Sequence, residues 1–133
     1  ARAYHHTAPI SMIFSLHAGL GAVLDEGIDQ VIARHAACGE AIQTGVQKLG
    51  LKLFAAEEHR LPQLTSVWVP EERLPGSATE AEVRSLLLSR YGIEIGGGLG
   101  PVAGKVWRIG CMGNTARLRN VELLLGALGE ILD

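Results

Sequence analysis

The stretch from Ile93 to Gly110 decides how this sequence is interpreted, and it reads IEIGGGLGPVAGKVWRIG. Two short apolar segments flank a loop that is dense in glycine. The second segment contains branched and aromatic residues, which fit a pleated surface, so we predict a strand over residues 105–109. Because side chains alternate along a strand, Arg108 is expected on the face opposite to that of Trp107.

A single arginine, Arg108, stands in this predicted strand. Its guanidinium matches a carboxylate in a bidentate manner, and hydrogen bonds that involve a charged group are worth about 1.5–3 kcal/mol. The position alone leaves two interpretations open. Arg108 either forms a structural ion pair or meets solvent, or it binds the carboxylate of a ligand.

The glycine run over residues 96–100 invites comparison with a phosphate-binding loop. It lacks the Lys-Ser/Thr ending of a P-loop, and we predict no long helix directly after it. Two interpretations are left for the run. It is either a flexible connector or a turn that needs unusual backbone angles or a close approach of its backbone to a ligand or partner.

Composition restricts the class of protein. The chain has 133 residues, of which 47% are hydrophobic, so it can form one domain with a core and is not expected to be disordered. The formal net charge is -2 and no basic patch is present, so we expect no nucleic-acid partner. No run of about 20 apolar residues occurs, so we expect no membrane span. Cys38 and Cys111 lie far apart, which fits a reducing compartment; we expect the cytoplasm, with an organellar form left open.

Hydrophobic periodicity predicts an order of two helices, two strands, a helix, two strands and a helix. This order is typical of an α+β fold, in which a small, mostly antiparallel sheet has helices packed on one face. The predicted helices cover residues 9–24, 27–49, 79–91 and the region after 114, and the predicted strands cover residues 51–54, 64–69, 93–95 and 105–109.

Local signals predict the helix ends. Thr7 is a candidate cap for the first helix, with Pro9 in its first turn. Thr79 and Glu82 form the pattern of a capping box, and Gly92 closes the helix that they open. Asn114 is expected to cap the last helix.

The beginning of the sequence suggests a chain that continues upstream. It starts at Ala1 without a methionine and enters at once the polar cluster Tyr4–Thr7. We therefore interpret residues 1–24 as a linker and helix that lead out of a large domain, and residues 25–133 as a small α+β domain.

A second candidate site lies in the same cluster. Tyr4 and Thr7 are hydroxyls just before a predicted helix start, where backbone donors favour an anion, so a phosphate contact is possible there. We expect no metal site, because adjacent His5 and His6 should point to opposite sides of an extended segment. His35 shares the apolar stripe of the second helix and is expected to be packed rather than a ligand.

Three motifs in this order and spacing resemble a known family. They are YHHTAP at Tyr4–Pro9, IEIGGGLGP at Ile93–Pro101 and GKVWRIG at Gly104–Gly110. They are similar to the class V pyridoxal-phosphate aminotransferases, and in particular to the alanine–glyoxylate / serine–pyruvate aminotransferase family. The resemblance covers essentially the whole chain and implies the C-terminal small domain of a fold-type I enzyme that uses pyridoxal 5'-phosphate.

The resemblance also implies roles for individual residues. Arg108 would bind the carboxylate of the amino or keto acid. Tyr4 and Thr7 would contact the cofactor phosphate, reaching across a homodimer into the neighbouring site. The loop Gly96–Pro101 would lie near the mouth of the active site. The implied reaction transfers an amino group from alanine, serine or a related donor to glyoxylate or pyruvate.

The chain departs from the family pattern in one respect. The family's Schiff-base lysine lies upstream of the matched region, and Lys48, Lys52 and Lys105 do not match it. The chain therefore carries no catalytic residue of its own, and we expect it to be inactive alone. The alternative is a free-standing α+β module that binds a small carboxylate or serves as a regulatory or interaction domain.

Overall fold

The computed structural model describes residues 5–133. These residues form four α-helices and a three-stranded sheet, which confirms the predicted α+β class. The helices are α1 (Ile10–Glu26), α2 (Ile28–Lys48), α3 (Glu80–Tyr91) and α4 (Leu118–Leu132), and the strands are β1 (Leu64–Trp68), β2 (Gly96–Gly97) and β3 (Val106–Gly110).

The chain divides into two compact units, one that ends at Ala33 and one from Arg34 to Asp133. The first contains α1, none of whose residues is buried. Gly27 separates α1 from α2 with a φ of +89°, a backbone angle that favours glycine. The assignment of residues 1–24 and 25–133 to separate domains stays a prediction.

The sheet belongs to the second unit and is antiparallel throughout. Its spatial order is β1-β3-β2, so β3 is the central strand. Arg108 on β3 is paired with Ser66 on β1 and with Gly96 on β2. Pairing on both sides fixes the backbone that carries the Arg108 side chain.

The core of the second unit lies between the sheet and its helices. Trp107 of β3 is fully buried, together with Val67 of β1. Leu87 of α3 and Leu128 of α4 are also fully buried, as the apolar stripes of both helices predict. Trp107 and Ile109, which alternation places on one face, are buried, and Arg108 is only partly buried. Val106, on the same face as Arg108, is buried as well, so burial does not simply alternate along β3.

Two of the four predicted strands are wrong. Residues 51–54 make an isolated bridge, Leu53 to Val67, rather than a strand. Residues 93–95 are not a strand, and pairing with β3 begins at Gly96 instead. The reason is local, because the Ile93 N–H donates to the Leu87 carbonyl at 3.2 Å and so closes the end of α3.

The predicted ends of α3 are confirmed. The Thr79 backbone N–H donates to Glu82 Oε2 at 2.7 Å, and the Glu82 N–H donates to the Thr79 hydroxyl at 3.3 Å, which completes the capping box. Gly92 adopts the left-handed conformation with a φ of +66°.

The predicted caps of α1 and α4 are wrong. Pro9 occupies the cap position of α1, which has no side-chain cap, so Thr7 does not cap it. Asn114 lies in a short 3-10 turn, and the helix begins only after Arg117, which occupies the cap position. Asn114 Oδ1 instead accepts a hydrogen bond from the Arg117 guanidinium and does not accept one from a backbone N–H of α4.

Candidate functional site

Arg108 lies at the centre of the candidate site. Its Nε donates to the Gly97 carbonyl oxygen at 2.7 Å, so the side chain folds back over β2. Among residues 5–133, no carboxylate lies within 4.0 Å of the Arg108 guanidinium, and neither of its terminal nitrogens has a hydrogen-bond partner. The interpretation of Arg108 as a structural ion pair therefore finds no partner in this part of the chain, and both terminal nitrogens of the guanidinium stay available as donors.

The glycine run allows this close approach. A Cβ at Gly96 would lie 3.3 Å from Arg108 Nη2, and one at Gly98 would lie 1.9 Å from the Val102 carbonyl oxygen. Gly100 has a φ of +54°, one of the unusual backbone angles that a turn interpretation of the run includes. The close approaches are to the chain itself, and an approach to a ligand or partner stays a prediction. Leu99 in the following loop is 65% exposed.

A second arginine lies beside the same short strand. Arg84 of α3 donates from Nε to Glu80 Oε2 at 2.8 Å and from Nη2 to Glu80 Oε1 at 3.2 Å. Trp107 Nε1 donates to Glu80 Oε2 at 3.2 Å. Glu80 thus joins α3 to Trp107 of the central strand, the residue that precedes Arg108.

Electrostatics favour the charged form of both partners in this pair. The hydrogen bond from Arg84 lowers the pKa of Glu80 below its ordinary value, and the Arg84 charge and the Trp107 N–H act in the same direction against partial burial. The hydrogen bond to Glu80 raises the pKa of Arg84. Sequence reasoning missed this pair, although Glu80 and Arg84 have the i, i+4 spacing of a helical ion pair.

The predicted phosphate contacts lie in the other unit. Tyr4 is outside the described residues. Thr7 is exposed and precedes the uncapped N-terminus of α1. Thr7 belongs to the first unit and Arg108 to the second.

The histidines and cysteines serve no recognisable site. The expectation that His5 and His6 point apart is wrong, because a bend brings their Nδ1 atoms to 2.8 Å. The described residues contain no group of three or more potential metal ligands. His35 is buried, as expected, and its Nε2 accepts from the Gly113 N–H at 2.9 Å.

Cys38 and Cys111 are buried free thiols, and burial raises the pKa of Cys111. The three lysines set apart from the family pattern, Lys48, Lys52 and Lys105, are all exposed. Within residues 5–133, no helix is long and apolar enough to cross a bilayer.

Comparison with known proteins places the chain. It is 37% identical over 131 residues to the (S)-ureidoglycine–glyoxylate transaminase of Bacillus subtilis. The match covers 98% of this chain and 30% of that protein. It is 40% identical over 133 residues to the alanine–glyoxylate aminotransferase of Callithrix jacchus, covering 99% of this chain and 31% of that protein. The chain is homologous to part of these aminotransferases. No protein-family profile matches it.

A solved structure agrees with this homology. The pyridoxamine–pyruvate aminotransferase of Mesorhizobium loti superposes with a TM-score of 0.85 at 33% identity, over 98% of this chain and 32% of that one. The chain thus spans about a third of the length of its aminotransferase relatives and corresponds to their C-terminal part.

Proposed function

We propose that this chain forms the C-terminal part of a pyridoxal-phosphate-dependent aminotransferase in which Arg108 binds the substrate carboxylate. The observation that carries the proposal is the strand-held guanidinium, whose Nε is committed to Gly97 while both terminal nitrogens lack a partner among residues 5–133. This planar fork matches a carboxylate in a bidentate manner. Arg108 would hold the acid end of the substrate and orient the rest of it.

The relatives support this substrate class. Alanine, glyoxylate and pyruvate, which their names contain, are small molecules with one carboxylate each. The reaction we propose transfers an amino group from alanine, serine or a related donor to glyoxylate or pyruvate.

The residues before α1 fit the phosphate of the cofactor. The Thr7 hydroxyl is exposed, and the N-terminus of α1 has no side-chain cap. The Ile10 N–H donates to the Ala8 carbonyl at 2.9 Å, so an anion would have to be bound by the N–H groups that follow it in the first turn. We assign Thr7 and Tyr4 to this phosphate. Bound pyridoxal phosphate supplies an electron sink for the amino acid, and protein groups orient it. One structural relative is a pyridoxamine–pyruvate aminotransferase, and this similarity supports the same class of cofactor.

The remaining parts of the proposal concern the assembly. Residues 1–24 connect to a large domain, residues 25–133 form the small domain, and the enzyme acts as a cytoplasmic homodimer. The loop Gly96–Pro101 lies near the active-site mouth. Within this chain we assign no catalytic residue, and the lysine that carries the cofactor belongs to the rest of the protein.

The test is the variant Arg108→Ala in the full-length protein that contains this chain. Loss of a bidentate, charge-assisted contact should raise KM for the amino acid roughly 10- to 100-fold. Binding of the cofactor, measured from its absorbance, should be unchanged. Arg108→Lys, which keeps the charge without the fork, should fall between the two proteins.

Arg90→Ala is the matched control, because Arg90 is an exposed arginine on α3. It should leave KM unchanged. An unaltered KM in Arg108→Ala would refute the assigned role. A full-length protein without aminotransferase activity or cofactor binding would instead favour the free-standing carboxylate-binding or interaction module.

A further inference from the structure

Two guanidinium groups enclose the short strand β2. A Cβ at Gly96 would lie 3.3 Å from Arg108 Nη2, and a Cβ at Gly97 would lie 3.3 Å from Arg84 Nη2. Successive Cβ directions alternate along a strand, so the two arginines lie on opposite faces of β2. A side chain at either position would require the guanidinium to shift by a few tenths of an ångström, so both arginines pack closely on β2.

Arg84 is held on its face by a network that includes the sheet itself. Glu80 accepts two hydrogen bonds from Arg84, at 2.8 and 3.2 Å, and a third from Trp107 Nε1 at 3.2 Å. The Glu80 side chain is only 16% exposed, and Trp107 is fully buried. A partly buried, bidentate ion pair allows a smaller range of side-chain orientations than an exposed pair. Glu80 therefore fixes the orientation of the Arg84 guanidinium.

Arg108 depends on the backbone that this network covers. Gly97 is paired with Trp107 in the sheet, lies against Arg84, and accepts the hydrogen bond from Arg108 Nε at 2.7 Å. β2 is only two residues long, so its pairing with β3 alone fixes its position weakly. A shift of the Gly97 carbonyl would turn the fork of Arg108.

We propose that Glu80, Arg84 and Trp107 are positioning residues, which hold the Gly97 carbonyl and through it orient the Arg108 guanidinium for a substrate carboxylate. This inference rests on the proposed function. Misplacement of a binding group by about 1 Å can cost up to roughly 100-fold in rate, so indirect support of this kind has measurable consequences.

The test is a double-mutant cycle in the full-length protein. Arg84→Met removes the guanidinium and keeps a side chain of similar length, and Glu80→Gln removes the charge that holds it. Each should raise KM for the carboxylate substrate roughly 10-fold. Cofactor binding and kcat should change much less, because the network affects how Arg108 binds the substrate carboxylate. Arg90→Met is the control and should behave as the parent.

The cycle separates positioning from a general structural effect. In an Arg108→Lys background, Arg84→Met should add little to KM, because the oriented fork is already absent. Equal effects of Arg84→Met in both backgrounds would overturn the inference, as would no effect in either. If Arg84→Met lowers the melting temperature enough to prevent assay, Glu80→Gln provides the same comparison.

The two proposals fail in different ways. No change of KM in Arg108→Ala overturns the proposed function and this inference together. A large change in Arg108→Ala, with additive or absent effects of Arg84→Met and Glu80→Gln, overturns only the positioning role.

Discussion

At the scale of single residues, the surroundings of Glu80 favour its ionised form. It accepts hydrogen bonds from Arg84 and Trp107 while its side chain is largely covered. The Arg84 guanidinium beside it lowers the pKa of this carboxyl below its ordinary value of 4.5. A lowered pKa in the folded state means that folding favours the ionised form, so this contribution to stability is complete above pH 4.5 and is lost as pH falls through the lowered pKa.

Glu80→Gln should therefore be less stable than the parent at pH 7, and the difference should shrink as pH falls below about 4.5. Urea unfolding of both proteins between pH 7 and pH 3 measures this. Glu82, whose pKa the Thr79 backbone N–H lowers, is present in both proteins, so its acid sensitivity cancels in the comparison. Arg84→Met removes the largest cause, while the Trp107 hydrogen bond stays, and should lose most of the same pH-dependent part. A stability difference that is constant over this range would contradict the assignment.

At the scale of elements, two helical glycines differ in whether close packing requires them. Gly39 of α2 lies against backbone, since a Cβ there would be 2.6 Å from Pro62 Cα and 2.6 Å from the Pro62 carbonyl oxygen. Gly126 of α4 is exposed and faces open space. The same residue type is thus required at one position and merely tolerated at the other.

Gly126→Ala should raise the free energy of unfolding by up to about 1 kcal/mol, because alanine is the better helix former. Gly39→Ala gains the same propensity but forces backbone apart, an overpacking cost of about 1–3 kcal/mol, so we expect a net loss. Urea denaturation of the two variants and the parent gives both values. A Gly39→Ala variant at least as stable as the parent would show that the loop around Pro62 yields easily.

At the scale of the whole molecule, α1 is the unusual part. It carries a series of large apolar side chains with no buried residue. The exposed apolar residues of α1 are Ile10, Met12, Ile13, Phe14, Leu16, Leu20 and Leu24. Large exposed apolar patches mark interaction surfaces.

Produced as the 133-residue chain alone, the protein should self-associate through α1. Light scattering coupled to size-exclusion chromatography measures the mass. Ile13→Glu combined with Leu20→Glu places two charges on one helix face and should reduce the mass towards that of a monomer. Leu88→Glu, at an exposed leucine of α3, is the control and should not change it. A parent chain that is monomeric with an ordered, protected α1 would contradict this expectation.

Several features could be predicted because their causes are close in sequence. The capping box of Thr79 and Glu82 and the left-handed Gly92 define α3 from residues within one turn of its ends. Alternation along β3 placed Arg108 opposite Trp107, and three linear motifs were sufficient to identify the aminotransferase homology.

Only the tertiary structure decided which backbone groups pair and which charges meet. The sequence predicts a strand at Ile93, but the Ile93 N–H donates to the Leu87 carbonyl at the end of α3. Pairing with β3 therefore starts later, and β2 consists of Gly96 and Gly97. The contact from Trp107 to Glu80 joins residues 27 positions apart, and no local pattern encodes it. Helix caps and side-chain alternation depend on neighbours along the chain, whereas hydrogen bonds across the sheet depend on which distant segments the hydrophobic core brings together.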